Sequence, residues 1–265
     1  MIWKSSYMFP VFKKLSPLNV KNYRGITFLC ACSEVLESIM NNYLYFRVKN
    51  YISTSQHGFF PGRSVSTNLL EFSSHWLRTL DQRLQIDAVY TDLKAAFDRV
   101  DHHILLEKLR HLGASDRLVA WFSTYLCERR MAVKLGASQS QWFCNKSGVP
   151  QGSTLGPLLF SLFINDVTFL LPRGCRLLYA DDLKIYLVIK SIDDCITLQN
   201  LLNSFAVWCR RNKLTLSIKK CNAISFYRIT SPILFQYTID GKTLDRSDGC
   251  VKYLGVLLDT ELTFN

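Results

Sequence analysis

The sequence lacks the features of a secreted, zinc-stabilised or membrane-spanning protein. Its nine cysteines form an odd set without a Cys-x-x-Cys pair, and the closest spacing, Cys30 with Cys32, is not a zinc pattern. The N-terminus has no signal-peptide core, and glycine, proline, asparagine and aspartate break the apolar residues 155–171, which leaves them short of a membrane span. We therefore expect reduced thiols in a soluble, intracellular protein without a membrane partner; the sequence does not distinguish nucleus from cytoplasm.

Repeats and low-complexity linkers are also absent, and acidic residues are scarce beside basic ones. The sequence contains thirty-two lysines and arginines but only twenty-one aspartates and glutamates, which gives a formal net charge of +11. The basic residues are spread through stretches such as "CERR", "WCRRNK" and "SIKK". With 48% hydrophobic residues among 265, the chain can bury a substantial core. A folded protein with this charge favours a polyanionic partner, nucleic acid ahead of a membrane surface.

Two adjacent carboxylates stand in "LLYADDLKIYLVI", residues 177–189, between two strand-like runs. Alternation places Tyr179 and Asp181 on one face and Ala180 and Asp182 on the other. The pattern predicts a hairpin with the acids at its tip. Because aspartate is also a common turn residue, this stretch alone does not establish a function.

The order of predicted elements indicates the fold class. Residues up to about 85 look loop-rich, with turn chemistry in "SPLNVKNYRG" and "QHGFFPGRS". "IDAVYTD" alternates as a strand, and two helices follow, the first capped by Asp101 and stopped by Gly113. Next come a hairpin around "LGASQSQ", a helix after "SGVPQGST", the acidic hairpin, a helix "TLQNLLNSFAVWCRRN", the strands "LTLSI" and "AISFY", and an Asp-Gly hairpin in "IDGKTL". This succession predicts an α+β protein in which helices back an antiparallel sheet.

Asp92 ends the strand "IDAVYTD", so it converges with Asp181 and Asp182 at one sheet edge if the two strands are neighbours. Three carboxylates held together repel one another, and a divalent cation removes that cost. Oxygen ligands without histidine or cysteine nearby suit Mg²⁺, with Mn²⁺ as the alternative. Paired ions of this type stabilise the attacking and leaving oxygens in phosphoryl transfer.

Seven motifs in one order resemble those of the reverse transcriptases of non-LTR (LINE-like) retrotransposons. They are "VKNYRGITFL", "QHGFFPGRS", "VYTDLKAAFDRVDH", "GVPQGSTLGPLLF", "YADD", "WCRRNKLTLSIKKC" and "YLGVLLD". The resemblance covers nearly all of the chain and implies a right-hand polymerase fold, with fingers over residues 1–85 and a palm through the primer grip over residues 86–265. Because the family carries an endonuclease before the polymerase and a helical thumb after it, the resemblance also implies a domain truncated at both ends, without its thumb.

The resemblance implies a role for individual residues. Asp92 and Asp181 look like the ligands of two Mg²⁺ ions, and Asp182 looks like the third acid of the metal site. Phe97 matches the steric gate that excludes a sugar 2′-OH, and Lys220 matches a lysine that assists pyrophosphate departure. The full set of positions that match nucleotide-binding or template-binding residues is Phe97, Gln151, Gly152, Lys220, Arg63 and Arg24. The positions that match the primer grip are Tyr253, Leu254 and Gly255.

These matches have plainer alternatives: Phe97 as core packing, Gln151 as a turn residue and Lys220 as a solvated lysine. The sequence also departs from the family pattern on the nucleotide and template side. The family has proline, arginine, asparagine and threonine where this chain has Gly25, Phe60, Ser217 and Cys221. None of these departures removes a metal ligand.

The resemblance implies RNA-directed DNA synthesis, in which a DNA primer 3′-OH attacks a dNTP on an RNA template and releases pyrophosphate. A viral-type RNA polymerase shares the palm, but such enzymes typically place an aspartate where Phe97 stands, and Asp98 is one residue late. The alternative from another class is a catalytically silent remnant of a decayed element that only binds nucleic acid. The intact acids oppose that alternative, whereas Phe60 and the missing thumb favour it.

Overall fold

The computed structural model of the chain describes residues 2–13, 16–247 and 249–261. Contacts group the chain into two compact units, each made of two separated segments. Unit 1 comprises Met1–Ile52 and Ala95–Phe163, and unit 2 comprises Ser53–Lys94 and Ile164–Asn265. The units do not follow a boundary at residues 85 and 86, and the assignment of fingers and palm to those ranges stays a prediction.

The chain alternates strands with helices. Its strands, within the described residues, are β1 (Ser5–Phe12), β2 (Tyr23–Phe28), β3 (Gln85–Thr91), β4 (Arg130–Leu135), β5 (Ser138–Gln139), β6 (Phe143–Cys144), β7 (Arg176–Tyr179), β8 (Asp182–Ile189), β9 (Asn222–Phe226), β10 (Thr238–Ile239), β11 (Lys242–Thr243), β12 (Asp245–Arg246), β13 (Cys250–Tyr253) and β14 (Val256–Asp259). Its helices are α1 (Ala31–Val48), α2 (Val65–Asp81), α3 (His102–His111), α4 (Asp116–Leu126), α5 (Leu155–Ile164), α6 (Val167–Leu170) and α7 (Ile192–Arg211).

Unit 2 is built on a five-stranded sheet in the order β12-β9-β3-β8-β7. The β9–β3, β3–β8 and β8–β7 pairs are antiparallel, as the sequence predicted, while the short β12 runs parallel to β9. All seven residues of the central β3 are buried, because α2 packs on the sheet and contributes Phe72, Trp76 and Leu80 to its main apolar cluster. Asp92 therefore directly follows a strand that is buried along its whole length.

Unit 1 contains a second sheet in the order β2-β1-β4-β5, with β6 also paired to β4. Its helix α3 begins and ends as predicted: the Asp101 side chain accepts a hydrogen bond from the Ile104 amide at 3.0 Å, and Gly113 follows the helix with a φ of 82°. The predicted α4 and the β4–β5 hairpin are also present. Helix α5 is buried along nearly its whole length.

Two expectations about local structure are wrong. Residues before 85 are not loop-rich, because they contain the long helices α1 and α2. The stretch "LTLSI" is not a strand: Leu216 makes a single bridge to Leu93, and a 3₁₀ turn, Ile218–Lys220, follows. The physical reason is that this stretch pairs with residues 92–94, where β3 has already ended.

Helix α7 begins earlier than the apolar pattern predicted, because Ser191 and Asp194 form a capping box at its N-terminus. Among the helices that the structure describes, none combines the length and the apolar character needed to cross a bilayer.

Candidate active site

The predicted acidic hairpin is present at one end of the unit 2 sheet. Strand β7 ends at Tyr179, β8 begins at Asp182, and these two residues pair across the ladder. Ala180 and Asp181 form the two-residue turn, with Ala180 at a φ of 57°. The predicted faces are wrong beyond Tyr179, because cross-strand partners share a face and the turn interrupts the alternation. Tyr179 therefore lies on the same face as Asp182.

Asp92 lies beside this turn because β3 and β8 are neighbours. Thr91, the last residue of β3, pairs with Leu183, which places Asp92 next to Asp182. The Asp92 backbone is fixed on both sides: its carbonyl accepts from the Ser217 amide at 2.8 Å, and its amide donates to Cys221 Sγ at 3.4 Å. Cys221, which departs from the family pattern, is buried. Its sulfur thus helps to hold the backbone at the end of β3 in place.

The side chain of Asp92 pairs with Lys220. The Lys220 Nζ lies 3.3 Å from Asp92 Oδ2, and the Lys220 side chain is 70% exposed. That contact is an ion pair without hydrogen-bond geometry, since the buried Oδ2 atom has no hydrogen-bond partner. One oxygen of the Asp92 carboxylate is therefore left without a hydrogen bond in the folded chain.

Asp92, Asp181 and Asp182, hereafter the acid cluster, carry an excess of negative charge. Although the Asp182 side chain is exposed, desolvation by the surrounding protein raises the pKa of its carboxyl to about 6. The negative charges of Asp181 and Asp92 add to that rise in pKa, and Lys220 opposes it. A cation bound among the three carboxylates would relieve this repulsion.

The chemistry of the acid cluster fits a hard divalent cation. Its donors are carboxylate oxygens, which Mg²⁺ and Mn²⁺ prefer, and one of them lacks a hydrogen-bond partner. Within the part of the chain that the structure describes, however, no three histidine, cysteine or acidic side chains are close enough together to hold a metal ion. The donor set therefore suits the ion, while the positions of its members are not those of a closed metal site.

Arg63 and Phe60 make contacts within their own loop in unit 2. Arg63 Nη1 donates to the carbonyl oxygens of Ser53 at 2.7 Å and Gln56 at 2.6 Å. Its guanidinium also lies 4.0 Å from the centre of the Phe60 ring. These contacts explain why an aromatic residue is accommodated at position 60. The nucleotide or template role of Arg63 stays a prediction.

The three positions predicted for the primer grip form one hairpin tip in unit 2. Tyr253 ends β13, and Leu254 and Gly255 make the turn to β14 with φ angles of 48° and 89°. The buried Tyr253 hydroxyl donates to Asn68 Oδ1 at 3.2 Å, which ties the tip to α2. The structure thus brings these positions together, and their contact with a primer stays a prediction.

The remaining nucleotide positions lie in unit 1. The half-buried Phe97 ring stacks on Phe160, with ring centres 4.2 Å apart. Gln151 Nε2 donates to Asp98 Oδ1 at 2.8 Å. Gly152 has a φ of 108°, and a Cβ there would come 2.6 Å from the carbonyl oxygen of Thr27, so glycine is required. Arg24 is exposed on β2.

Sequence reasoning missed two residues near the acid cluster. Gln56 lies in the quoted "QHGFFPGRS", yet its role depends on contacts with residues far along the chain. Lys184 is fully buried on β8, and its Nζ has no hydrogen-bond partner. Strand alternation could have identified Lys184, since the period of two places it on the same face as the buried Tyr186.

Comparison with known proteins gives one consistent family. A family model described as "Reverse transcriptase (RNA-dependent DNA polymerase)" matches residues 12–258. The chain is 31% identical to the "Probable RNA-directed DNA polymerase from transposon BS" of Drosophila melanogaster, over 99% of this chain and 30% of that protein. It is 28% identical to the "RNA-directed DNA polymerase from mobile element jockey" of the same species, over the same two shares. The chain therefore spans 30% of the length of these curated relatives.

Solved telomerase structures share the fold. A structure of apo telomerase from Candida tropicalis, truncated from the C-terminal domain, has a TM-score of 0.67 at 12% identity and covers 99% of this chain and 54% of that one. Telomerase from Candida albicans, in complex with a fragment of telomeric RNA, has a TM-score of 0.62 at 13% identity and covers 97% and 45%. At these identities the likeness concerns the fold alone, and it confirms the α+β polymerase architecture.

Proposed function

Because the chain belongs to the reverse transcriptase (RNA-dependent DNA polymerase) family, we propose that it catalyses RNA-directed DNA synthesis. The predicted resemblance to the enzymes of non-LTR retrotransposons is confirmed by the mobile-element relatives. Since the chain spans only part of those relatives, its activity, substrates and partners are proposals. The proposed substrates are an RNA template, a DNA primer and dNTPs.

The acid cluster is the observation that carries this proposal. Asp92 and Asp182 lie side by side at the end of paired strands, and Asp181 adds a third negative charge. We assign Asp92 and Asp181 as ligands of two Mg²⁺ ions, or Mn²⁺, with Asp182 as the third acid. Such ions, when bound, activate the primer 3′-OH and stabilise the departing pyrophosphate.

The other side chains bind and orient. Lys220, exposed and 3.3 Å from Asp92, supplies a mobile cation that can shift to the charge of the leaving pyrophosphate. Phe97 excludes the 2′-OH of a ribonucleotide, and Gln151 and Gly152 position the incoming nucleotide against the template. The hairpin tip of Tyr253, Leu254 and Gly255 holds the primer strand. Arg24 and Arg63 neutralise triphosphate or template charge.

Primer extension on an RNA template tests this function directly. The purified chain should extend the primer with dNTPs in Mg²⁺, and Asp181→Asn should lose on the order of a thousandfold in rate, since a missing metal ligand removes several kcal/mol of transition-state stabilisation. Asp193→Asn is the matched control because Asp193 is an exposed acid in the first turn of α7. An Asp181→Asn protein that keeps a tenth of the wild-type rate would contradict the assignment.

A second candidate is a protein that binds nucleic acid without catalysis. Phe60 at the position of a family arginine favours it. Wild-type chain that binds RNA, folds cooperatively and extends no primer in Mg²⁺ or Mn²⁺ would establish this alternative.

A further inference from the structure

Residues 55–57 run alongside β7 and continue the sheet of unit 2 by one short segment. The Leu178 amide donates to the Ser55 carbonyl oxygen at 2.9 Å, and the His57 amide donates to the Leu178 carbonyl oxygen at 2.9 Å. This is parallel pairing, with Gln56 opposite Leu178. The segment is therefore held in register against the strand that leads into the acid cluster.

The side chain of Gln56 extends this pairing beyond the end of β7. Its Oε1 accepts hydrogen bonds from the amides of Ala180, at 3.0 Å, and Gly58, at 2.8 Å. Its Nε2 donates to the Ala180 carbonyl oxygen at 3.3 Å. Both Gln56 and Ala180 are buried. One carboxamide thus satisfies both backbone groups of Ala180, which water does not reach.

Ala180 needs such support because of its backbone conformation. Its φ of 57° lies in the left-handed region, where alanine is disfavoured and where a two-residue hairpin usually places glycine. Non-glycine residues stay in this region only when their surroundings hold them there. Asp181 is the next residue, so the backbone of Ala180 determines where the Asp181 carboxylate points.

The conformation of the surrounding loop places Gln56 next to Ala180. A Cβ at Gly58 would come 2.2 Å from the Ala180 nitrogen, so only glycine allows the two backbones to approach. Arg63 Nη1 donates to the Gln56 carbonyl oxygen and, on the other side, to that of Ser53. The motif "QHGFFPGRS" therefore contains the side chain that contacts the turn, the glycine that lets it approach and the arginine that braces it.

We propose that Gln56 is a positioning residue for the acid cluster: by bonding both backbone groups of Ala180, it fixes the direction of the Asp181 carboxylate toward the divalent cation. Gln56 is buried and would act on the cation only through the Ala180–Asp181 turn. The part of this proposal that concerns the cation rests on the proposed function, whereas the part that concerns the turn rests on the hydrogen bonds alone.

The substitution Gln56→Met tests the proposal, because methionine keeps the length of the side chain and loses all three hydrogen bonds. Hydrogen exchange of the Ala180 amide should become at least about tenfold faster, as expected for loss of about one hydrogen bond. Mn²⁺, titrated by electron paramagnetic resonance, should bind about tenfold more weakly, since the carboxylate is no longer pre-oriented. In primer extension, kcat should fall by about the same factor with the KM for dNTP little changed.

Leu202→Ala is the control for loss of stability alone. Leu202 is fully buried in α7, and its truncation should lower the melting temperature while Ala180 exchange and Mn²⁺ affinity stay at wild-type values. If Gln56→Met changes neither quantity beyond what Leu202→Ala does, Gln56 is a packing residue and the proposal is wrong.

Gln56→Glu provides a second test if Gln56→Met does not fold. Glutamate keeps the side-chain length and an acceptor for both amides and replaces the amide donor with a carboxyl group, so exchange at Ala180 should stay slow. Fast exchange in that variant would also overturn the proposal. A wild-type chain that extends no primer would defeat the proposed function and leave the exchange test intact, whereas an active Gln56→Met enzyme with wild-type kcat and Mn²⁺ affinity would defeat only the role of Gln56.

Discussion

The Phe97 ring, stacked on Phe160, can be tested for both of its proposed roles with one substitution. Phe97→Ala should lower the free energy of unfolding by about 1 to 3 kcal/mol, because a half-buried ring is removed. If the ring also clashes with the 2′-OH, the ratio of kcat/KM for dNTP to that for rNTP should fall by about tenfold or more. Phe122→Ala, which empties a fully buried site on α4, should reduce stability without that loss of selectivity.

The buried position of Lys184 predicts that replacing this lysine with an apolar residue should stabilise the protein. Its Nζ is enclosed by aromatic rings and lies 4.0 Å from the centre of the Tyr253 ring. This nitrogen has no hydrogen-bond partner. Burial holds the pKa of this amine well below its usual value, so the folded state bears the cost of a desolvated polar group. Lys184→Met should raise the free energy of unfolding by about 1 to 3 kcal/mol.

Thermal and urea unfolding would measure this gain. Lys190→Met removes an exposed amine just beyond β8 and should leave stability within about 0.5 kcal/mol of the wild type. A destabilised Lys184→Met protein would show that the amine has a partner in solution.

The sequence predicted the acids but not the residue that orients them. Asp92, Asp181 and Asp182 could be found because strand-like apolar runs and the turn between them are local signals. Gln56 bonds to a residue 124 positions away, and no periodicity encodes a bond from a side chain to a distant backbone. Its contribution became visible only when the pairing of residues 55–57 with β7 was known.

At the scale of elements, His57 links the loop of residues 53–58 to α2. Its Nδ1 lies 2.8 Å from Thr67 Oγ1 and its Nε2 lies 3.1 Å from Glu71 Oε2. Desolvation lowers the pKa of this histidine; Glu71 opposes the shift, while Arg63 and Lys184 add to it. The imidazole is therefore neutral in the folded protein at pH 7.

This pKa shift predicts how stability depends on pH. An unfolded histidine, with a pKa of about 6.5, takes up a proton more readily than the folded one, so the free energy of unfolding should fall as the pH decreases below about 6.5. His57→Gln should flatten that decrease between about pH 7 and pH 5 in denaturant titrations. His103→Gln, at an exposed position on α3, should not; an equal slope in both variants would show that other groups cause the acid sensitivity.

Elements were predictable where their buried side is apolar. Helix α2 has Phe72, Trp76 and Leu80 at intervals of four, after a capping box at Ser64, so its local sequence encodes the helix. Helix α1 reverses the usual pattern, since its buried positions include Ser33 and Glu37 while Val35 is exposed. Glu37 is buried because it accepts hydrogen bonds from the amides of Thr154 and Leu155, partners that the local sequence does not reveal.

At the scale of the whole molecule, the net charge of +11 predicts how RNA should bind. Dispersed lysines and arginines contact phosphates, so affinity should come largely from released counterions and depend little on sequence. Between about 50 and 200 mM salt, the Kd for a single-stranded RNA should rise by about a hundredfold or more. Fluorescence anisotropy with two RNAs of unrelated sequence would measure both properties, and a Kd that is indifferent to salt would contradict the electrostatic account.

The interleaving of the two units has a consequence for synthesis on the ribosome. Both segments of unit 1 have been translated once Phe163 is added, whereas unit 2 begins at Ser53 and waits for segments that start at Ile164. Its central strand β3 emerges long before either neighbour, β8 or β9. A nascent chain stalled between these points carries a strand that is buried in the folded protein but still has two open edges, which is a template for aggregation. Translation speed through residues 164–226 therefore sets how long each molecule remains vulnerable before its sheet can close.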